Sequence, residues 1–126
     1  MAKKIPRPTV PHAWVARISQ TLGQLPEVVE ESAWVGTRWR VRGATIAHVF
    51  GGEDQLFRIT FRGDGDEVAA FAHLGEPYFK VAWGDNVIGL LLDEHTDWGE
   101  VAELLTDSYC LQAPQSLAEQ VARPSL

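Results

Sequence analysis

Two stretches of strict alternation limit what this chain can fold into. In TRWRVR, residues 37–42, Arg38, Arg40 and Arg42 alternate with Trp39 and Val41. Successive side chains of a strand point to opposite faces, so the pattern predicts one apolar and one cationic face. Arg42-Gly43-Ala44-Thr45 reads as a tight turn, and TIAHVF resumes as a second strand. LFRITFR alternates again, with Phe57, Ile59 and Phe61 inward and Arg58, Thr60 and Arg62 outward. With two central turn residues, Arg42 is expected across from Thr45, Arg40 from Ala47 and Arg38 from Val49. His48 then falls on the inward face, opposite Trp39. In a meander, the arginines form two rows flanking the middle strand, about 10 Å apart.

Helical patterns surround this block. Trp14, Val15, Ile18 and Leu22 recur at helical spacing and Gly23 supplies a stop. Glu30-Glu31-Ser32 reads as a polar connection. Gly63-Asp64-Gly65-Asp66 reads as a turn ending in a cap residue. DEVAAFAHLG follows as a short helix that buries Val68, Phe71 and Leu74 and closes at Gly75. Pro77 through Trp83 and Val87 through Asp93 read as a hairpin, turned at Gly84-Asp85-Asn86. Asp97 and Glu100 have capping-box spacing before a long helix to about Leu111, which buries Val101, Leu104, Leu105 and Ser108. Pro114 breaks it and SLAEQV makes a last helical piece. The expected order is α-β-β-β-α-β-β-α-α, an α+β domain with helices packed on an antiparallel sheet.

The 126 residues suit one domain, read as 10–126 behind a flexible basic tail, residues 1–9, carrying Lys3, Lys4 and Arg7. No apolar run reaches signal-peptide length or the ~20 residues of a membrane span, so a cytoplasmic protein is expected. The lone Cys110 excludes an internal disulfide and reads as an inert thiol. The net charge is -6, but it is divided unevenly. Residues 1–50 hold seven Lys/Arg against three acids, and residues 51–126 hold four against fourteen. A local cationic surface on an acidic molecule is compatible with that division.

Several landmarks together resemble the MmcQ/YjbR family. They are Leu25-Pro26, Val41-Arg42-Gly43 before an apolar strand, the acid-capped short helix, Trp83, Asp107-Ser108-Tyr109, and Ala113-Pro114 followed by Ser116-Leu117. The likeness spans roughly residues 11–121. It implies a compact α+β fold of the frataxin-like or double-wing kind, and many members are called DNA-binding on that structural comparison. Members commonly place a basic residue and a histidine just before the tryptophan. Here Val81-Ala82 precede Trp83, and Lys80 is the only nearby cation.

Catalytic patterns are sparse. The chain has no Gly-x-Ser-x-Gly elbow, no phosphate-cradling glycine loop and no local partner for Cys110. Asp93, Glu94, His95 and Asp97 cluster, but a solvated loop whose acid caps a helix explains them without a metal. His48 reads as a hydrogen-bonded core or pocket histidine. The resulting expectation is a binding protein that is not an enzyme and has no cofactor. Through the resemblance, DNA is the first named partner, with Arg38, Arg40, Arg42, Arg58 and Arg62 on phosphates. A protein or small-anion module using the same face is the close rival. A weak frataxin-like metal binder stands third, and an enzyme with a pocket around His48, Trp39 and Trp83 stands last.

Overall fold

A computed structural model describes residues 5–121, so Lys3 and Lys4 of the expected tail lie outside the described residues. Eleven residues, His12–Leu22, form α1, which buries Ile18 and Leu22 and ends at Gly23. The strands are β1 (Val28–Ser32), β2 (Thr37–Val41), β3 (Ala44–Gly51), β4 (Phe57–Arg62), β5 (Tyr78–Lys80) and β6 (Val87–Leu92). The helices α2 (Gly65–Leu74), α3 (Trp98–Gln112) and α4 (Gln115–Ala118) complete the chain. All neighbouring strands are antiparallel, in the order β1-β2-β3-β4-β6-β5. The α+β architecture expected from the alternation is therefore present, as is the meander through β2, β3 and β4.

One strand was missed. The supposed polar connection at Glu30-Glu31-Ser32 belongs to β1, an edge strand paired along its whole length with β2. Its acids are compatible with a strand because each meets a donor across the pair. Glu30 accepts from the buried Trp39 indole N–H at 3.0 Å and from the Ser19 hydroxyl of α1. Glu31 serves two arginines, described below.

The β2–β3 register also differs from expectation. Arg42 and Gly43 are the two central turn residues, with φ of 45° and 83°, and Val41 pairs with Ala44. Positive φ at both positions is what a type I′ hairpin requires. A bulge follows, because Arg40 pairs with Thr45 while Trp39 pairs with Ala47. Ile46 is the extra residue, and Ile46 and Ala47 are consequently both buried. The shift places His48 across from Arg38, on the face away from the core, instead of inward beside Trp39.

The three longer helices touch one face of the sheet. Trp14 of α1 meets Phe57 edge-on at 5.2 Å. Phe71 of α2 lies 6.2 Å from Phe61 and 4.5 Å from Tyr78. Beneath them lies one core, which includes Trp39, Val49, Ile59, Phe61, Leu90, Leu105 and Tyr109. Asp64, not Asp66, caps α2, in a reciprocal box with Glu67. Leu74, expected to be buried, is 68% exposed, because only Val68 and Phe71 of that helix face the sheet. Asp97 caps α3 as expected, accepting from the Glu100 N–H at 3.1 Å.

Ser108 joins α3 to the sheet. Its fully buried hydroxyl donates to the Ile46 carbonyl at 2.7 Å and accepts the Arg62 N–H at 2.8 Å. These backbone groups lie just past Ala47–Phe61, the last pair of the β3–β4 ladder, so a side chain from the helix supplies what a neighbouring strand would otherwise supply. Ser108→Ala leaves a buried donor and a buried acceptor unpaired. We expect it to lower the unfolding free energy by about 2 kcal/mol, read as a shift of the urea midpoint at unchanged slope. A shift within error would show that water replaces the hydroxyl.

Candidate functional site on the helix-free sheet face

Among the described residues the opposite face of the sheet carries no helix, and its outward residues assemble into two rows. One runs Glu31, Arg38, His48, Thr60, Gly89, Phe79 across the six strands. The next brings Phe50, Arg58 and Leu91 side by side. Val81 and Val87 are buried yet lie outside the main core cluster, so this face has an apolar patch of its own.

The five predicted arginines are spread over this surface, and each has a specific partner. Glu31 accepts from Arg38 Nε at 2.7 Å and from Arg40 Nη1 at 3.2 Å. Arg40 also donates to the Gly43 carbonyl at 2.6 Å. Arg42 leaves the strand face for the turn and grips Glu27 with two hydrogen bonds, at 3.0 and 2.9 Å. Arg62 donates to Asn86 Oδ1 at 2.9 Å, and burial holds its guanidinium below the ordinary value. Arg58 is paired with Asp54. Arg38 and Arg40 on β2 and Arg58 and Arg62 on β4 flank β3 as expected, Arg42 lies in the turn instead, and three carboxylates offset part of the charge of the five.

Arg58 differs from the other four. Its side chain is only 20% exposed. The guanidinium carbon lies 5.9 Å from the ring centres of both Phe50 and Phe79, a cation–π contact on each side. Phe50 is its direct cross-strand neighbour, whereas Phe79 stands two strands away, beyond β6. Gly89 makes that reach possible. A Cβ built on Gly89 would lie 2.2 Å from Phe79 Cζ, so the ring lies across the glycine where any side chain would stand. The Nε of Arg58 is enclosed and has no hydrogen-bond partner among the described residues.

A cleft of about 410 Å³ opens above this group, within the range of small-molecule sites. Phe50, Phe79, Val81 and Trp83 give its lining an apolar part, the buried Thr60 lines it too, and Arg7, Glu53, Asp54 and Arg58 give it a charged part. Trp83 is 54% exposed. Arg7, from the segment before α1, donates to the Gly51 carbonyl at 3.1 Å, and Pro6 accepts from Gln55 at 3.1 Å. Phe79 and Trp83 were not singled out by the alternation, since their meeting with Arg58 depends on strand order.

His48 stacks on Phe50 with ring centres 4.7 Å apart, and its Nε2 donates to the Val35 carbonyl at 2.6 Å. Burial, more than the Arg38 charge, lowers its pKa, while the Val35 bond opposes the shift. Trp39 lies on the other face of the sheet, so the pocket of His48, Trp39 and Trp83 considered from sequence does not assemble. In the acidic loop, Asp93 accepts from the His95 N–H at 2.7 Å and Asp97 caps α3. Among the described residues no group of three or more His, Cys, Asp or Glu side chains is placed to hold a metal ion. No helix among them is long and apolar enough to cross a membrane.

The family model described as YjbR matches residues 23–111. The chain belongs to the YjbR family. The crystal structure of Deinococcus radiodurans protein DR2400, which carries a DUF419 domain, superposes with a TM-score of 0.67 at 14% identity. The match covers 94% of this chain and 91% of that one, and at such identity it establishes a shared fold. No relative was found among curated proteins. The YjbR match takes in β1 to β6, so it includes every strand of the helix-free face.

Two measurements test this geometry. Gly89→Ala is expected to push Phe79 off Arg58 and cost about 1–3 kcal/mol through overpacking; an unchanged melt with unshifted Phe79 ring resonances would contradict it. The second concerns pH. Hydrogen bonds from Arg38 and then Arg40 hold the Glu31 carboxyl below its ordinary value of 4.5. Its stabilisation is complete above that value and is lost as pH falls through the lower folded value. The urea midpoint should therefore drop between about pH 5 and pH 3, and Glu31→Gln should drop less; equal drops would remove Glu31 as a contributor.

Proposed function

We propose that this YjbR-family chain is a non-catalytic binding module that takes a small anion in the cleft around Arg58. The observation that carries the reading is the guanidinium held between Phe50 and Phe79 with its Nε–H unpartnered. A desolvated, pre-oriented cation loses little freedom when an anion arrives, which is the usual route to affinity for a small charged ligand.

A second reading, duplex DNA, draws on a separate observation. Arg38, Arg40 and Arg42 side chains remain 39%, 35% and 53% exposed along one margin of the sheet. Against it stand their pairing with Glu31 and Glu27 and the net charge of -6, because phosphate contacts need uncommitted cations.

The test is a pair of titrations at low salt. Acetate, benzoate and inorganic phosphate are added to the protein while its melting temperature is followed, and a labelled duplex is titrated separately. We expect at least one small anion to raise the melting temperature saturably, with the effect lost in Arg58→Gln, and the duplex to remain unbound. Salt-sensitive duplex binding that is weakened by Arg38→Ala with Arg40→Ala, and is indifferent to Arg58→Gln, would replace the first reading with the second.

A further inference from the structure

We infer that the cleft is built for a planar monocarboxylate and that Asp54 occupies the ligand's place on Arg58 in the free protein. The inference rests on the small-anion reading above and names the class of anion.

The argument starts from what Arg58 lacks. A guanidinium offers five N–H donors in a rigid plane, and a carboxylate matches it best with two parallel bonds along one edge. Asp54 reaches only Nη2, and Nε–H is left enclosed and unpaired. The internal partner therefore leaves one donor of the Nε–Nη2 edge unused. A carboxylate arriving side-on takes both donors of that edge once Asp54 has released Nη2.

Asp54 is suited to being displaced. It lies in a tight turn closed by the Gln55 N–H on the Gly52 carbonyl at 3.0 Å. Its other oxygen already accepts the Leu56 N–H at 3.1 Å, so the residue keeps a backbone partner when it leaves Arg58. Its side chain is 49% exposed, so water takes over the freed oxygen. Exchange then replaces one carboxylate by another and gains the orphaned Nε–H.

Charge and shape select the ligand. Glu53 pairs with Arg7 at 3.7 Å and Asp54 with Arg58, so the charged part of the lining balances two acids against two cations. A phosphate dianion meets those acids at greater cost than a monoanion does. The walls are flat: the Phe50 and Phe79 rings flank the cation, and Trp83 offers an exposed ring face. An aromatic or otherwise conjugated acid fills such a slot, stacking on Trp83 while its carboxylate faces Arg58.

The experiment is calorimetric titration of the purified chain at neutral pH with 2-naphthoate, its neutral counterpart 2-naphthamide, acetate and inorganic phosphate. We expect 2-naphthoate to bind and 2-naphthamide not to bind. Asp54→Asn should bind 2-naphthoate about fivefold more tightly, the factor expected for removing an exposed competing ion pair. Arg58→Gln should weaken binding by more than about 30-fold. Trp83→Ala, at an exposed position that the fold tolerates, should weaken 2-naphthoate and leave acetate unchanged, so the test does not depend on Arg58→Gln folding. Saturable phosphate binding with inert 2-naphthoate would overturn the planar-carboxylate inference and retain the small-anion reading. Asp54→Asn binding no more tightly than wild type would overturn the displacement. Absence of binding by every anion to both wild type and Asp54→Asn would overturn both.

Discussion

Because the helices pack on one face of a six-stranded sheet, the outward residues of that sheet must satisfy one another. Much of the surface chemistry follows from this constraint. Glu31 on the edge strand gathers Arg38 and Arg40, Glu27 holds Arg42, and Asp54 holds Arg58. Exposed pairs of this kind contribute little stability individually, but they fix where the long side chains lie. Where the face is apolar it closes on itself, with Val81 and Val87 buried and the Phe79 ring laid over Gly89. The cleft is what remains between the paired arginines and that apolar patch.

Arg58 stands at this junction. On β2, Arg38 and Arg40 both meet Glu31 of the neighbouring strand, which pairs directly with Arg38. On β4 the neighbours of Arg58 are Phe50 and Leu91, so no acid lies alongside, and the carboxylate comes from the turn that precedes the strand. Aromatic rings on both sides then fix the plane of the guanidinium without supplying acceptors. Arg58, which Asp54 reaches through Nη2, is the cation on which the proposed binding rests, whereas Glu27 holds Arg42 through two hydrogen bonds.

Much of the architecture was legible from local pattern. The period-two runs identified β2 and β4, the tight turn after TRWRVR pointed to β3, the helical spacing of Trp14 to Leu22 identified α1, and Asp97 marked the start of α3. Strand β1 was hidden because Glu30 and Glu31 look like a solvated connection until their cross-strand donors are known. The register was misread because Arg42, a non-glycine residue, takes a positive φ, and because a bulge at Ile46 cannot be seen in the pattern of apolar residues. Those two events turned His48 from the core to the open face. Four of the five arginines lie on the strands as expected, whereas Arg42, expected across from Thr45, is a central turn residue; the acids that meet Arg38, Arg40 and Arg42 come from Glu27 and Glu31, which the strand pattern did not bring in. The role of Phe79 was invisible for the same reason, since it depends on β5 lying beyond β6 and on a glycine between.

Membership of the YjbR family fixes the architecture, and the likeness to DR2400 at 14% identity carries the fold and no more. The central claim is local: ligand chemistry lies on the helix-free face at Arg58. The most direct test is to record amide and indole nitrogen–proton spectra of labelled protein while 2-naphthoate is added. The account predicts shifts that concentrate on Phe50, Asp54, Arg58, Phe79 and the Trp83 indole, with α1 and α3 unmoved. Saturable shifts centred instead on the helix layer, or on the Glu31–Arg38–Arg40 group with Arg58 unaffected, would contradict it.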